Sequence, residues 1–298
     1  MATTLNVTSN YSGVLAGEIF VAAFKKADTI NKGLITVIPN VIGSGFLPKI
    51  AYTGDISAYA CGWDPTGTVA YTEKEVIVKK YQIQHELCKD KFYATFQAQV
   101  QGLFAANNDI PADFQTAILG AIVDNMAAKV DYQIWNGNGT TNQFDGLLRQ
   151  FATASSGVVL LTASASLSRT NIFTELDRVY ASVLPEVEGE SDLVWVVSND
   201  VARYASQALT SQGFNTGADR LEPAYAGFPL QTVGSLPNKT ILVYRVRNIG
   251  FLTGLQSDTN EVLLSDDQDR LDGNIRTKVV FTGGVGFTYG PEIVAYLA

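Results

Sequence analysis

Hydrophobic residues in the middle of the chain recur at the spacing of an α-helix. They form one stripe within Asp109–Trp135, and a turn rich in Asn and Gly follows at 136–139. The stripe consists of Leu119, Val123, Met126, Ala127, Val130 and Ile134. Residues three and four apart lie on the same side of a helix, so this spacing predicts a long helix with one apolar face. The same periodicity predicts shorter helices at Ser12–Thr29 and Arg169–Val183.

Strands are predicted where β-branched and aromatic residues lie between turn residues. A long hairpin is predicted over Ile50–Ile83, with its turn near 62–67. Its second limb, Thr72–Ile83, alternates without a clearly apolar face, which favours a protruding ribbon that a partner covers. Further strands are predicted at Leu34–Ile38, Leu193–Val197, Thr240–Arg245, Arg276–Thr282 and Ile293–Leu297. Helices and strands alternate without a regular repeat, which indicates the α+β class.

Two local features refine this outline. A short helix is predicted after Leu193–Val197, with Asn199 or Asp200 as its cap. The first forty residues hold one short helix and one short strand, followed by the breakers Pro39, Gly43 and Gly45. We therefore expect this region to be an arm with little core of its own.

Composition narrows the possible functions. The chain has 298 residues, 46% of them hydrophobic, which is enough for a sizeable core. Only 17% are charged, which suggests that much of the surface meets other protein. The formal charge of -8 disfavours binding to nucleic acid phosphates. Two cysteines fit a reducing compartment, and neither a signal peptide nor a membrane span is predicted.

Residues suited to catalysis are scarce. The chain has one histidine, His85, and the sequence HELCK at 85–89 has Lys89 where the zinc motif HExxH needs a second histidine. His85 and Cys88 could face each other if this segment were helical, as a thiolate pair requires. We interpret them as a polar residue and a small buried thiol at the end of the ribbon.

Three other motifs also fail as ligand sites. Gly284 and Gly286 have Tyr289 where the dinucleotide motif needs a third glycine, so a glycine-containing strand is favoured. The turn at 136–141 lacks the ending of a phosphate-binding loop. The acidic residues Asp266, Asp267, Asp269 and Asp272 fit a solvated loop better than a calcium loop, because Lys278 stands at the position of the final glutamate. We predict no catalytic, cofactor-binding or metal site.

Several short phrases resemble one known family. The predicted long helix ends in the sequence WNGNG at 135–139, and FDGL follows at 144–147. GFPL lies at 227–230, and NIR at 274–276 precedes a strand, with Pro291 before the last strand. Together with the order of elements, these phrases resemble the Hong Kong 97-like capsid fold of the major capsid proteins of tailed bacteriophages, a fold that encapsulin shells share.

The resemblance implies a division of the chain into the parts of that fold. These would be an N-terminal arm at 1–40, a strand and extended β-hairpin loop at 41–85, and a peripheral domain with a long spine helix at 86–150. An axial α/β domain would follow at 151–269, with a peripheral return strand at 270–288 and an axial tail at 289–298.

The resemblance also implies a function and partners. The protein would be a structural component, not an enzyme, that forms the pentamers and hexamers of an icosahedral shell in a virion assembled in the bacterial cytoplasm. The shell would enclose DNA without sequence-specific binding. No long charged helical segment precedes the arm, which implies a separate scaffolding protein or a prior trimming. A portal and decoration proteins would be further partners. Alternatives are an encapsulin-type compartment, a tail tube or decoration protein, or an enzyme built around His85 and Cys88.

Overall fold

The computed structural model describes residues 8–12, 27–54, 56, 58–59, 61–62, 66–88, 112–163, 166–211, 223–254, 261–266 and 274–297. Its helices are α1 (Asp28–Asn31), α2 (Ala112–Asn136), α3 (Leu147–Phe151), α4 (Ile172–Tyr180), α5 (Pro185–Glu188) and α6 (Asn199–Ser211). Its strands are β1 (Thr8–Ser12), β2 (Thr36–Ile38), β3 (Ser44–Gly54), β4 (Gly67–Ile77), β5 (Lys79–Cys88), β6 (Val159–Thr162), β7 (Leu193–Val197), β8 (Ala224–Tyr225), β9 (Phe228–Thr232), β10 (Ile241–Arg245), β11 (Ile249–Leu252), β12 (Glu261–Asp266), β13 (Asn274–Phe287) and β14 (Val294–Leu297). The mixed α+β class is confirmed.

The longest strand, β13, organises the first sheet, in which the order is β1-β12-β13-β11-β2 and β5 also pairs with β13. The antiparallel pairing with β5 runs from Asn274 to Gly283, and pairing with β11 takes over at Gly284. Strand β13 therefore pairs with β5 along its first part and with β11 along its last part.

The second sheet has the order β6-β14-β10-β7-β9-β8 and separates two cores. Successive side chains of a strand point to opposite faces. Val196 and Leu242 accordingly pack in the core that contains α2, whereas Trp195, Val197 and Val243 pack in the core that contains α4 and α6. Because both faces are covered, β7 and β10 are continuous apolar runs, as expected for a fully buried sheet.

The long helix α2 lies at the centre of the first core. Val130, Ile134 and Trp135 are fully buried, which confirms the predicted apolar stripe in its described part. The buried Asp131 carboxylate accepts hydrogen bonds from the Thr29 backbone N–H at 2.8 Å and the Ser235 hydroxyl at 2.5 Å. The Trp135 indole N–H donates to the Thr29 hydroxyl at 2.8 Å. Although α2 has 25 residues, neither it nor any other described helix is long and apolar enough to cross a membrane.

The Asn and Gly turn after α2 folds back on itself through close backbone contacts. The Gly146 N–H donates to the Gly137 carbonyl at 2.9 Å, and Asn138 forms a β-bridge with Asp145. A side chain on Gly146 would lie 2.8 Å from the Trp135 carbonyl oxygen. Glycine at this position therefore allows the FDGL phrase to pack against the end of α2.

Some predictions need correction. Ala27, Thr29, Leu34 and Ile35 are buried, so the end of the expected arm has core contacts of its own. The apolar positions of the helix predicted within 12–29 lie outside the described residues, apart from its ends, and Ser12 ends a strand. Asn199 and Asp200 both lie inside α6, so neither precedes it as a cap. Apart from the second limb of the predicted hairpin, the other predicted helices and strands are confirmed, most of them with shifted ends.

Candidate self-association surface

The residues with most catalytic potential, His85 and Cys88, both lie on strand β5. The predicted pairing required this segment to be a helix, and it is a strand instead. Among the described residues, no group of three or more His, Cys, Asp or Glu side chains could hold a metal ion.

The glycines of the rejected dinucleotide motif, Gly284 and Gly286, lie in β13, as expected of a glycine-containing strand. Asp266 ends β12, which extends a strand into the predicted acidic loop; the remaining acidic positions at 267–273 lie outside the described residues.

A two-stranded ribbon formed by β3 and β4 is the most exposed apolar feature of the described chain. Its antiparallel register pairs Phe46 with Glu75, Ile50 with Tyr71 and Tyr52 with Val69. Directly opposite residues share one face of a sheet, so the register defines the two faces of the ribbon. We call one the outer face; it consists of Phe46, Pro48, Ile50, Tyr52, Val69, Tyr71, Glu73, Glu75 and Ile77.

The apolar side chains of the outer face are open to solvent. The exposed fractions are Phe46 56%, Ile50 69%, Tyr52 69%, Val69 68%, Tyr71 58% and Ile77 60%. In the turn beyond them, Ile56 and Tyr59 are more than 90% exposed, at 104% and 94%. Contiguous apolar patches with several aromatic residues mark protein–protein contacts in soluble proteins. The outer face therefore has the composition of an interface that this chain alone does not cover.

Charge on the outer face has one sign. Glu73 and Glu75 are its charged residues, and both are exposed. The Tyr71 hydroxyl donates a hydrogen bond to the Glu73 carboxylate, which raises the pKa of Tyr71. Two outer faces stacked on each other would bring carboxylates together, so a partner surface with apolar and cationic groups fits better.

The opposite, inner face of the ribbon rests on the body at its base. Leu47, Val76 and Val78 are buried with Leu252 of β11 in a small core. A side chain on Gly284 would lie 2.7 Å from the Ile77 carbonyl oxygen, and one on Gly286 would overlap Val76. These two glycines therefore let the ribbon base lie directly on β13. We call this contact region the seat.

The structure at the base of the ribbon corrects the prediction that the second limb is one continuous strand. Thr72–Ile83 is not one strand, because the chain changes partner at Val78, where β4 ends and β5 begins. The alternation shifts at this break, so Tyr81 is buried against Phe144 and Phe281, although the sequence pattern placed it beside the exposed Ile77. The apolar face of the ribbon is not visible in the alternation of its second limb alone. Its signal in the sequence is the alternation of Phe46, Ile50 and Tyr52 in the first limb.

A cavity of about 450 Å³ lies beside the seat. Its walls include Lys74, Lys79, Asp145 and Arg149. Burial lowers the pKa of Lys74 to about 8, and the nearby Asp145 carboxylate partly opposes this shift. Cations and carboxylates therefore both line the cavity, and its lining contains neither His nor Cys.

Comparison with known proteins gives structural matches only. No family model matches the sequence, and no curated protein matches it. A chain in the procapsid of satellite phage P4 with its size determination (Sid) protein matches at a TM-score of 0.66 and 12% identity, over 94% of this chain and 89% of that one. The capsid of a native GTA particle matches at 0.64 and 13%, over 91% and 89%. The capsid of Myoviridae phage XM1 matches at 0.55 and 13%, over 90% and 91%.

These matches extend over most of both chains at very low identity. They confirm the resemblance to phage capsid proteins at the level of the fold, over about nine tenths of the chain. The chain therefore has the fold of the proteins that form phage capsids.

Proposed function

We propose that this chain is the major capsid protein of a tailed phage, a structural protein whose copies associate into an icosahedral shell around double-stranded DNA. The observation that carries the proposal is the exposed apolar outer face of the ribbon, on a chain with the capsid-protein fold. An exposed apolar face of this kind marks a contact with another protein, because covering it removes apolar surface from water.

In this proposal the described elements take the roles of the Hong Kong 97-like fold. The β3–β4 ribbon is the extended loop, α2 is the spine helix, and β13 is the return strand of the peripheral domain. The second sheet with α4 and α6 forms the axial domain, around which pentamers and hexamers gather. The outer face of each ribbon lies on a neighbouring copy, and overlapping interfaces of the obligate class hold the shell together.

Charge supports the enclosure of DNA without sequence-specific binding. A chain with a formal charge of -8 repels phosphates, so packaged DNA can move along the wall during packing and release. A scaffolding protein, a portal and decoration proteins complete the proposed set of partners.

The first test is replacement of Ile50 and Tyr71, which lie directly opposite each other on the outer face. The Ile50→Thr/Tyr71→Thr variant keeps β-forming residues but removes two exposed apolar side chains. We expect a soluble, folded monomer that forms no closed shells, because each lost interface anchor weakens a contact by about 2 kcal/mol or more. Size-exclusion chromatography and negative-stain imaging provide the measurement.

The control variant changes the inner face three pairs nearer the turn of the ribbon. Thr53→Ser/Thr68→Ser retains the pair of hydroxyls that lie 3.0 Å apart, and we expect it to form shells as the unmodified chain does. Deletion of Gly54–Glu73 removes the turn and most of β4 but keeps Val76 and Val78 of the seat; it should behave like the outer-face variant. Intact shells from that deletion would refute the role of the ribbon.

The same images separate the alternative functions. Closed shells that contain a cargo protein and no DNA would identify an encapsulin-type compartment. Tubes, or chains that bind only to preformed particles, would identify a tail tube or decoration protein.

A further inference from the structure

The seat continues along the ribbon beyond its small apolar core. At its inner end, Gly284 and Gly286 of β13 lie against the ribbon backbone and Val76. The next two contacts toward the tip involve aromatic rings, those of Phe287 and Tyr289. The end of β13 and the residues after it thus follow the inner face of the ribbon outward.

Two lysines of the inner face lie on these two rings. The Lys74 ammonium nitrogen is 3.2 Å from the centroid of the Phe287 ring, and the Lys49 ammonium nitrogen is 2.6 Å from the centroid of the Tyr289 ring. Lys74 pairs across the ribbon with Leu47, and Lys49 pairs with Thr72. The lysines therefore come from different strands but share the inner face.

These ammonium groups have no competing ion pair within 4 Å in the described part of the chain. Lys74 is partly removed from water, and with a pKa of about 8 it is still mostly charged at neutral pH. The negative face of an aromatic ring attracts a cation more strongly as water is excluded. The rings thus replace part of the hydration that the lysines lose in the seat.

Beyond Lys49 the inner face changes character. Thr53, Thr68 and Ala70 are small and exposed. Among the described residues, the two lysine–ring contacts are therefore the outermost attachments of this face, and they extend the attachment of the ribbon from Leu47 and Val76 of the seat toward its tip.

We infer that Lys49 and Lys74 are positioning residues that fix the direction in which the ribbon leaves the body, each through its cation on one aromatic ring. The inference concerns contacts within one chain and goes beyond the proposed assembly. It holds or fails whether or not the protein forms a shell.

The test measures the distance from the ribbon tip to the body by pulsed electron paramagnetic resonance. Cys61, which is exposed near the tip, carries one spin label, and Gln207→Cys on helix α6 carries the other, in a Cys88→Ala background. Labelled chains are diluted with unlabelled chains so that only distances within a chain contribute. The variants are Lys49→Met/Lys74→Met, which keeps the length of the side chains but removes the charge, and Lys49→Arg/Lys74→Arg, which keeps the charge.

With both lysines, we expect one narrow distance distribution. The methionine variant should give a broader distribution with a shifted mean, and the arginine variant should restore the narrow one. Lys80→Met, an exposed lysine on β5, is the control and should change nothing. A narrow, unshifted distribution in the methionine variant would overturn the inference. Equal broadening in the methionine and arginine variants would also overturn it, because the charge would then not be the cause.

Discussion

At the scale of single residues, Gly284 and Gly286 set how closely the ribbon approaches β13. Gly286 pairs with Gly250 of β11, and a side chain on Gly286 would overlap the buried Val76. Val76 is β-branched and has few alternative rotamers, so it cannot easily move away. The pair of glycines thus serves strand packing, which explains a Gly-x-Gly sequence without a nucleotide.

We predict that Gly286→Ala lowers the free energy of unfolding by about 1–3 kcal/mol, the range for overpacking a well-packed core. Gly120→Ala provides the matched control, because Gly120 lies in α2 with open space around it. This control should raise the free energy of unfolding by about 0.5–1 kcal/mol through the higher helix propensity of alanine. Denaturant unfolding measures both, and equal stability of the two variants would contradict the described contact.

The sequence alone could exclude a site when the exclusion depended only on which residue types are present. It could not predict contacts between residues that are distant in the chain. The absence of a second histidine ruled out the zinc motif without a structure. The contact of Gly286 with Val76 was not predictable, because these residues are far apart in sequence and belong to different sheets. The same holds for the bond between Asp131 and Thr29, which are 102 positions apart.

At the scale of elements, the ribbon combines a seated base and an unsupported end. Among the described strands, β3 and β4 pair only with each other. An isolated two-stranded hairpin is marginally stable in water, and here only the part near Val76 and Val78 gains core contacts.

We therefore expect amide hydrogens of residues 50–54 and 67–72 to exchange quickly in the unassembled chain. Amides of β7 and β10, which are buried at the centre of the second sheet, should exchange only through global unfolding. Assembly should slow exchange in the ribbon. Hydrogen–deuterium exchange with mass spectrometry provides the measurement, and ribbon protection equal to that of β10 before assembly would contradict an unsupported ribbon end.

Elements with strong periodicity were predicted well, and those that depend on tertiary pairing were not. The stripe of α4 and the apolar run of β7 carry their own signals. The strand change at Val78 has no local signal, because it arises when the chain exchanges β3 for β13 as its partner. The two-residue strand β8 pairs across a turn at Ala226 and Gly227, both at positive φ, and its sequence is too short to show a period.

At the scale of the whole molecule, two cores stabilise the body, while the outer face of the ribbon remains uncovered. The body has cores of its own, and in the proposed assembly the ribbon gains its remaining contacts from another copy. The order of elements and a few glycine-rich phrases were enough to indicate the capsid fold. The apolar face of the ribbon could be identified only from the register of β3 and β4.

The most direct test of this account is a cryo-electron microscopy reconstruction of the particles that the unmodified chain forms, at a resolution that shows side chains. The account predicts a closed shell in which Ile50, Tyr52 and Tyr71 of each copy are buried against a different copy. A closed shell in which these side chains face solvent would contradict it. So would a protein that remains a monomer with the outer face packed on its own body.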